Sequence, residues 1–450
     1  MLRVGCTALF FLAAAAHALT TPAELRDRRA RATAAFSDGI ILVHANSVFS
    51  ESADGFRQDP VFYYFTGLED TPGALLAIDG RAAESWLFVP SYLPESYLYS
   101  PPEQLFPKTP VPLKEIGKET GIEHVVDWSE MEGFFSQSTS SPVRAYYPGS
   151  GLSIDELPPN LMLKAAPHLP AWAVILAARW PSLQFNEVSD RFTALMEVQS
   201  LSELADVRAA AKATIVGFFA GLRAISPSVP QRTVEAAVDG ACWNAGAHGS
   251  FFWPWVFAGE NALFPHAFRA LVRYDHLSRI IRAGDLVRLD VGCEWNHYQG
   301  DLGRTVPASG RFNPAQREVW GIFLNAYRAG AKALRDGATV NQVFEAWRGE
   351  IARHKDSARS NLALHAVEAW TKRENVPYWS VHTTSLTVRD PETLRAGMTV
   401  DFEPIASVDG QGFYLEDMFL ITREGTELLT PGVPYSADEI ETALRKNQKK

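Results

Sequence analysis

The sequence predicts a protein of mixed helices and strands in two parts. Short apolar runs typical of buried strands, at 39–43 and 74–78, alternate with turns and helices in the N-terminal third. From Ser200 onward, apolar residues recur at helical spacing. Later in the chain, two segments have the alternation and the turn residues of β-hairpins. The change in pattern near 196–201 predicts a domain boundary there.

Helices are predicted mainly in the second part. The first follows Ser200, with apolar residues such as Leu204 and Val207 on one face and Pro227 beyond its end. Further helices are expected at about 232–246, 314–336 and 340–354.

Composition disfavours several classes of function. The chain has 450 residues, of which 46% are hydrophobic and 21% charged, so it is neither disordered nor fibrous. The formal net charge of −10 disfavours a nucleic-acid partner, because nucleic-acid binding depends on Lys and Arg that neutralise phosphates. The motifs of phosphate-binding loops, zincins, thioredoxin-like proteins and serine hydrolases are absent from the sequence.

Residues 1–18 are predicted to be a secretory signal peptide. Arg3 gives a basic start, an apolar run follows at 4–15, and 16–18 has the small-x-small form of a cleavage site. A spanning helix needs about 20 apolar residues, and this run is shorter. A short membrane anchor and a misassigned start are the alternatives. No later stretch is apolar for long enough to span, so we expect an exported protein, periplasmic or secreted, that leaves the membrane after cleavage.

Two of the three cysteines, Cys242 and Cys293, follow the predicted signal peptide. Two cysteines are too few for a disulfide framework, so the core must hold the fold. They would form one disulfide in an oxidising compartment or remain as two buried thiols. Their spacing does not decide between these alternatives.

The first hairpin pattern includes two aspartates. Apolar and other residues alternate along 285–294, as in a half-buried strand. If 295–296 form a two-residue turn, the returning strand places Asp301 directly opposite Asp290.

The second hairpin pattern has a stronger turn signal. Asp409 and Gly410 form a preferred pair for a type I′ turn, which needs positive φ at both central residues. Counting outward from this turn places Glu403 opposite Glu416.

Opposed carboxylates repel each other unless a proton or a cation lies between them. One shared proton would give an aspartic-type dyad. Two divalent cations about 3.5–4 Å apart would instead be bridged by such carboxylates and would activate a water. Acids at strand ends that only face water are the third alternative. His382 follows a strand-like run upstream of the second hairpin, and it is either a further ligand or a structural histidine.

At these residues the chain resembles the pita-bread metallopeptidases of the M24 type, in the aminopeptidase P and Xaa-Pro dipeptidase (prolidase) group. The residues that match the five metal ligands of this family, in order, are Asp290 in LVRLDVG, Asp301 in GDLGRT, His382, Glu403 in DFEP where VEPG is usual, and Glu416 in LED. Upstream, 259–262 with His266 resembles the family's substrate-side histidine segment. FRQD at 56–59 and FYYFTG at 62–67 resemble its N-terminal domain.

The resemblance implies an α+β fold. Its catalytic domain would be a pita-bread domain of the creatinase and aminopeptidase type, with a curved antiparallel sheet, over 199–445. A smaller α/β N-terminal domain would precede it over 19–198. The resemblance also implies two divalent metal ions per chain, Mn above all and otherwise Zn, Co or Fe, and a homodimer.

The resemblance implies a role for each site residue. Asp290 would chelate one ion, Asp301 and Glu416 would bridge the two ions, and His382 and Glu403 would bind the second. Glu403 would also take the proton from the attacking water, and His266 would face the substrate. The implied reaction is hydrolysis of a peptide bond near the N-terminus of short peptides, usually one that precedes proline.

Three positions depart from the family pattern. Arg389 stands where a second catalytic histidine is usual, Tyr378 replaces another histidine, and Tyr414 replaces an arginine. An arginine would stabilise an oxyanion or clamp a substrate carboxylate, but it would not shuttle a proton near neutral pH. Alternatively, Arg389 pairs with Asp390 or another surface acid. We expect altered or weakened selectivity for Xaa-Pro bonds.

Two other functions remain as alternatives at this point. One is a hydrolase or lyase of a small molecule on the same fold, such as a creatinase-like amidinohydrolase. The other is a non-catalytic binding module. The complete set of five ligands counts against both creatinase-like proteins and binding modules, because these usually lack it.

Overall fold

The computed structural model describes residues 20–47, 56–93, 108–149, 169–263, 278–372, 378–384, 386 and 388–447. The predicted signal peptide and His266 lie outside these residues. Within the described ranges, no helix combines the length and the apolar character needed to cross a membrane.

The described chain contains both helices and strands along its whole length. The α-helices are α1 (Pro22–Ala35), α2 (Pro60–Thr66), α3 (Leu113–Thr120), α4 (Met131–Ser138), α5 (Ala171–Arg179), α6 (Ser189–Met196), α7 (Leu201–Ala224), α8 (Gln231–Asn244), α9 (Pro314–Ala333), α10 (Val340–Arg353), α11 (Asn361–Thr371) and α12 (Ala437–Asn447). The strands are β1 (Gly39–His44), β2 (Leu75–Asp79), β3 (Glu84–Val89), β4 (His124–Asp127), β5 (Val143–Tyr147), β6 (Leu183–Glu187), β7 (Trp255–Ala258), β8 (Leu286–Val291), β9 (Glu294–Trp295), β10 (Tyr298–Gln299), β11 (Leu302–Pro307), β12 (Tyr378–Thr383), β13 (Thr399–Val408), β14 (Gln411–Ile421) and β15 (Thr426–Leu428).

The N-terminal part is built on a six-stranded sheet with the order β4-β3-β2-β1-β5-β6. The central strand β1 pairs antiparallel with β2 and parallel with β5. Its sequence GIILVH is buried at its first five positions, as expected of a strand covered on both faces. The two predicted strands, 39–43 and 74–78, are confirmed to within one residue at each end.

The C-terminal part is built on a curved antiparallel sheet with the order β12-β13-β14-β11-β8-β7, and β15 pairs with β14. One face of this sheet packs against helices, through residues such as Leu289, Phe402 and Leu415. Because successive side chains of a strand point to opposite faces, the residues between them face the other side. This second face carries the predicted metal ligands.

Helix α7 joins the two parts. It begins at a capping box in which the Ser200 hydroxyl accepts from the backbone N–H of Glu203 and the Glu203 carboxylate accepts from that of Ser200. Its first half packs with the N-terminal core and its second half with the C-terminal core. The helices predicted after it are confirmed as α8, α9 and α10, with ends that differ by up to three residues.

The second hairpin has the predicted register. Asp409 and Gly410 both have positive φ, 45° and 73°, as a type I′ turn requires. The strand pairs on either side of Glu403 place it opposite Glu416. This prediction is confirmed because the turn residues alone fix where the two arms begin to pair.

The predicted register of the first hairpin is wrong by two residues. The turn lies at 296–297, with φ of 48° and 67°, and not at 295–296. Asp290 therefore pairs with Gly303 and not with Asp301. Asn and His tolerate positive φ better than the bulky Trp does, which favours a turn at 296–297 over one at 295–296. Since a shift of two residues keeps every side chain on its face, Asp290 and Asp301 still point the same way.

Contacts with the N-terminal part hold this turn. His297 Nε2 lies 2.7 Å from Glu69 Oε2, and its ring lies 4.6 Å from that of Tyr63. Arg57 forms an ion pair with Glu294 at the start of β9. The turn position thus depends on tertiary contacts that the hairpin sequence alone does not contain.

Cys242 and Cys293 form a disulfide, with their Cα atoms 5.6 Å apart. It joins helix α8 to the segment directly after β8. Of the two alternatives left open by the sequence, the structure has the paired one.

Candidate metal centre

Two neighbouring rows of residues cross the second face of the C-terminal sheet. The first row is Glu403, Glu416, Gly303 and Asp290. The second row is His382, Asp401 and Met418, continued by Asp301. Cross-strand neighbours in an antiparallel sheet face the same side, so the register itself brings these side chains together.

The five predicted ligands lie together and are buried. His382 Nε2 is 3.6 Å from Glu403 Oε1 and 4.0 Å from Glu416 Oε1. One ligand atom from each of Asp301, His382, Asp401 and Glu416 lies within 4.8 Å of the others. Asp401 belongs to this group although it is not one of the five predicted ligands.

Burial raises the pKa of every carboxyl group in these rows: Asp290, Asp301, Asp401, Glu403 and Glu416. The negative charges of neighbouring carboxylates add to this effect for all of them except Asp290, whose pKa the Arg288 charge acts to lower. For Asp301, Asp401 and Glu416 the pKa is raised well above the usual range. The cluster therefore cannot be fully ionised unless cations neutralise it.

The residues present fit a divalent metal. Within the described part of the chain, Asp301 Oδ1 and both carboxylate oxygens of Asp401 are buried without a hydrogen-bond partner. Oxygen donors together with one imidazole are a donor set that divalent cations accept. Buried oxygens without partners in such a set are free to coordinate.

A guanidinium group lies inside the acidic cluster. Arg288 is 3% exposed, and its Nη2 is 2.7 Å from Asp290 Oδ2. Burial acts to lower the pKa of Arg288, but its interactions with Asp290, Tyr414 and Glu403 together outweigh burial and raise this pKa overall. Arg288 is not among the site residues predicted from the sequence, although the alternation along β8 places it on the same face as Asp290.

Tyr414 links the cluster to Arg288. Its hydroxyl donates to Glu416 and lies 3.4 Å from Glu403 Oε2, while the Arg288 guanidinium lies 4.0 Å from its ring centroid. The ring lies over Gly303, where a Cβ atom would collide with it. The missing side chain at 303 thus makes room for the tyrosine.

The comparisons with known proteins agree with this geometry. Residues 205–423 match the model of metallopeptidase family M24, and residues 25–144 match that of the aminopeptidase P N-terminal domain. The part of this chain that carries the site, residues 205–423, belongs to metallopeptidase family M24. Divalent metal ions are accordingly the expected cofactor class of this metallopeptidase.

The similarity to known proteins extends over most of the length of this M24 peptidase. An Xaa-Pro aminopeptidase from Haemophilus influenzae is 24% identical over 421 residues, 86% of this chain and 88% of the relative. An Xaa-Pro dipeptidase from Pyrococcus furiosus is 24% identical over 376 residues, 82% of this chain and 90% of the relative. The solved structure of aminopeptidase P from Pseudomonas aeruginosa has a TM-score of 0.73 at 23% identity, with 95% of this chain and 99% of that chain covered. The predicted pita-bread fold is confirmed.

The helix-covered face of the sheet anchors the metal-centre strand β14. Asp417, next to Glu416, is fully buried and accepts hydrogen bonds of 2.7–2.9 Å from Arg304, Tyr327, Thr430 and Tyr435. Every oxygen of this aspartate is therefore satisfied. It contrasts with Asp401 on the other face, which has no such partner within the described part of the chain.

The M24 peptidase holds Arg389 beside a buried acid. The Arg389 guanidinium forms an ion pair with Glu197, which is 1% exposed and also pairs with Arg395. The backbone N–H of Arg389 donates to the Thr383 hydroxyl at 3.1 Å, one residue after the predicted ligand histidine. Its catalytic role stays a prediction, as does that of His266, which lies outside the described residues. Tyr378 lies in β12, and its side chain is also outside them.

Proposed function

We propose that this M24 metallopeptidase is a dinuclear aminopeptidase or dipeptidase that hydrolyses a peptide bond near the N-terminus of short peptides. Xaa-Pro peptides are among its substrates, with weakened selectivity for proline. The observation that carries this proposal is the convergence of Asp290, Asp301, His382, Glu403 and Glu416 on one buried face of the curved sheet.

The ligand set supports two ions. Asp290 would hold one, Asp301 and Glu416 would bridge, and His382 and Glu403 would hold the other. Two divalent ions would neutralise a cluster whose carboxyl pKa values are otherwise raised by burial and by repulsion between the acids. Manganese is our choice of metal, because oxygen donors dominate the set.

The protein groups supply proton transfer and a dry environment. When bound, the ions would lower the pKa of a water molecule and polarise the scissile carbonyl. Glu403 would take the proton of the attacking water, since burial first of all raises its pKa toward the range of an effective general base. Tyr414 and His382 lie within 3.4–3.6 Å of the Glu403 carboxylate and would hold its orientation. His266 would contact the substrate.

Arg389 would influence substrate selection. One carboxylate, Glu197, pairs with two guanidinium groups, those of Arg389 and Arg395, so its single negative charge does not neutralise both of them. A positive charge at the end of β12 favours substrates that carry a free carboxylate. This would shift preference toward short peptides at the expense of strict proline recognition.

Export of the enzyme completes the proposal. Cleavage after Ala18 would release the mature chain into the periplasm or the medium, as a homodimer by analogy with the family. The Cys242–Cys293 disulfide supports an oxidising compartment, where such bonds persist. N-terminal sequencing of the protein from its native host would test it: a chain that retains Met1 in the cytoplasm is incompatible with export.

The activity test compares matched peptides. Protein loaded with Mn²⁺ should release the first residue from Xaa-Pro dipeptides and tripeptides and from the same peptides with alanine in place of proline. Elemental analysis should find two metal ions per chain, and Asp301→Ala or Glu416→Ala should lower the occupancy of both sites. A metal-free protein that retains full activity would refute the metal centre and restore the shared-proton dyad.

A further inference from the structure

Asp401 is a buried carboxylate without a hydrogen-bond partner among the residues that the structure describes. It lies on β13 directly opposite His382, two residues before Glu403, and is 0% exposed. Neither of its carboxylate oxygens has a hydrogen-bond partner among the described residues. Burial of an ionised carboxylate without hydrogen-bond partners lowers the stability of the fold unless a proton or a cation neutralises its charge.

The surroundings of Asp401 are those of a cation site. Its ligand atom lies with those of Asp301, His382 and Glu416 inside a group spanning no more than 4.8 Å. Asp301 Oδ1 is likewise buried without a partner. The cationic side chain on this face, Arg288, is paired with Asp290 in the other row.

The five ligands implied by the family resemblance do not include this position. Asp401 adds one negative charge to the cluster, and Arg288 adds one positive charge beside Asp290. Asp401 and Arg288 stand on strands β13 and β8, which β14 and β11 separate in the sheet. They make the His382 side of the cluster more negative and the Asp290 side less so.

We propose that Asp401 is an additional metal ligand, which with Asp301, His382 and Glu416 forms the tighter of two cation sites. The inference rests on the metal centre of the proposed function. A divalent ion would bind first at this four-residue set, and a second ion would bind more weakly at Asp290, next to the Arg288 guanidinium. The two sites therefore differ in affinity because their neighbouring charges differ in sign.

The experiment measures metal binding and not activity. The full chain is stripped with EDTA and titrated with Mn²⁺ by calorimetry, and its melting temperature is recorded with and without the metal. The variants are Asp401→Asn, which keeps the shape, and Asp401→Thr, which removes the carboxylate with a smaller side chain. Asp417→Asn is the matched control, since it changes an equally buried aspartate on the other face of the same hairpin.

Two binding phases are expected for the wild type. Both Asp401 variants should weaken the tighter phase at least about tenfold, because even the loss of an outer-shell partner costs about 10–100-fold in metal affinity. Without metal, both variants should melt at or above the wild-type melting temperature. The increase in melting temperature on adding Mn²⁺ should be smaller for them than for the wild type. Asp417→Asn should melt at a lower temperature than the wild type, both without metal and with Mn²⁺. Its increase in melting temperature on adding Mn²⁺ should equal that of the wild type.

Wild-type Mn²⁺ affinity in both Asp401 variants would overturn the inference and would mean that Asp401 is simply a protonated buried acid. The inference would also be overturned if the Asp401 variants changed the melting temperature by the same amount with and without Mn²⁺. If the wild type itself binds no Mn²⁺, Zn²⁺ or Co²⁺, the metal centre fails, and the proposed function fails with it.

Discussion

Arg288 and Asp290 lie on the same face of strand β8, and their ion pair, 2.7 Å between Nη2 and Oδ2, is almost fully buried. A buried cation is therefore part of the acidic cluster before any metal binds. It favours the ionised form of Asp290 against the effect of burial, and it opposes the approach of a second positive charge to that ligand.

The first prediction concerns this pair. Arg288→Met should destabilise the metal-free protein by about 3–5 kcal/mol, because it leaves Asp290 buried without its partner. With Mn²⁺ present the loss should be smaller, since the ion then supplies the missing countercharge. Urea unfolding in EDTA and in Mn²⁺ measures both values, and an equal loss in the two conditions would contradict the prediction.

The metal-free protein should lose stability as the pH rises. The pKa values of Asp301, Asp401 and Glu416 are raised in the folded state by burial and by one another. A group with a raised folded pKa stabilises the fold fully below its unfolded pKa, and this contribution is lost as the pH rises through the folded pKa. The unfolded values lie near 4, so the decline should extend from about pH 5 upward.

This pH dependence can be separated from that of other acids. Acids with lowered pKa values, such as Glu187, affect stability only at lower pH and contribute little change above about pH 5. With Mn²⁺ the gain in melting temperature should increase with pH, because protons and metal compete for the same oxygens. A melting temperature in EDTA that increases between pH 5 and pH 8 would refute the prediction.

The buried ion pair of Arg304 with Asp417 on β14 should contribute more to the free energy of unfolding than an exposed ion pair does. Arg304→Leu should cost about 3–5 kcal/mol, because it leaves the fully buried Asp417 without its cation. Arg208→Leu is the matched control: it breaks an exposed pair with Glu427 and should cost no more than about 1 kcal/mol. Denaturant unfolding of the two variants under the same conditions makes the comparison. Similar losses would show that the buried pair is not special.

The disulfide should contribute several kcal/mol. Cys242 and Cys293 are 51 residues apart, and closing a loop of this length should stabilise the fold by about 4 kcal/mol on the chain-entropy model. The double variant Cys242→Ser, Cys293→Ser should show this loss. A reducing agent should lower the wild-type melting temperature and leave that of the double variant unchanged; a wild type insensitive to reductant would argue against the bond.

Arg389 should affect catalysis and not metal binding. Arg389→Met should lower kcat/KM for peptides with a free carboxylate, whereas both metal ions stay bound, because Arg389 pairs with Glu197 and not with the ligands. The same peptides with an amidated C-terminus serve as the control, and for them the effect should be small. Unchanged kcat/KM for both sets would leave Arg389 a structural partner of Glu197.

The sequence predicts those parts of the site that local patterns determine. Asp409 and Gly410 fix a turn by their own backbone preferences, so the position of Glu403 opposite Glu416 follows by counting. The turn at 296–297 also depends on its contacts with Glu69 and Tyr63 in the N-terminal part, and its predicted register was wrong.

The residues that were missed depend on what surrounds them. Arg288 and Asp401 alternate in phase with predicted ligands, so their face could have been assigned from the strand period. Their roles could not, because these depend on which partners are present or absent inside the fold. The pairing of Arg389 with Glu197 joins segments that are distant in sequence, and no local pattern indicates it.

Gly303 and Tyr414 cannot change independently. The tyrosine ring occupies the volume that any side chain at 303 would need, so a larger residue there would displace the ring from Glu416 and from under Arg288. Conversely, a smaller residue at 414 would leave an empty space above the glycine. A change of Tyr414 to arginine, whether it arises in evolution or by design, is therefore coupled to position 303. It must either pass through a less stable single variant or be made together with a change at 303.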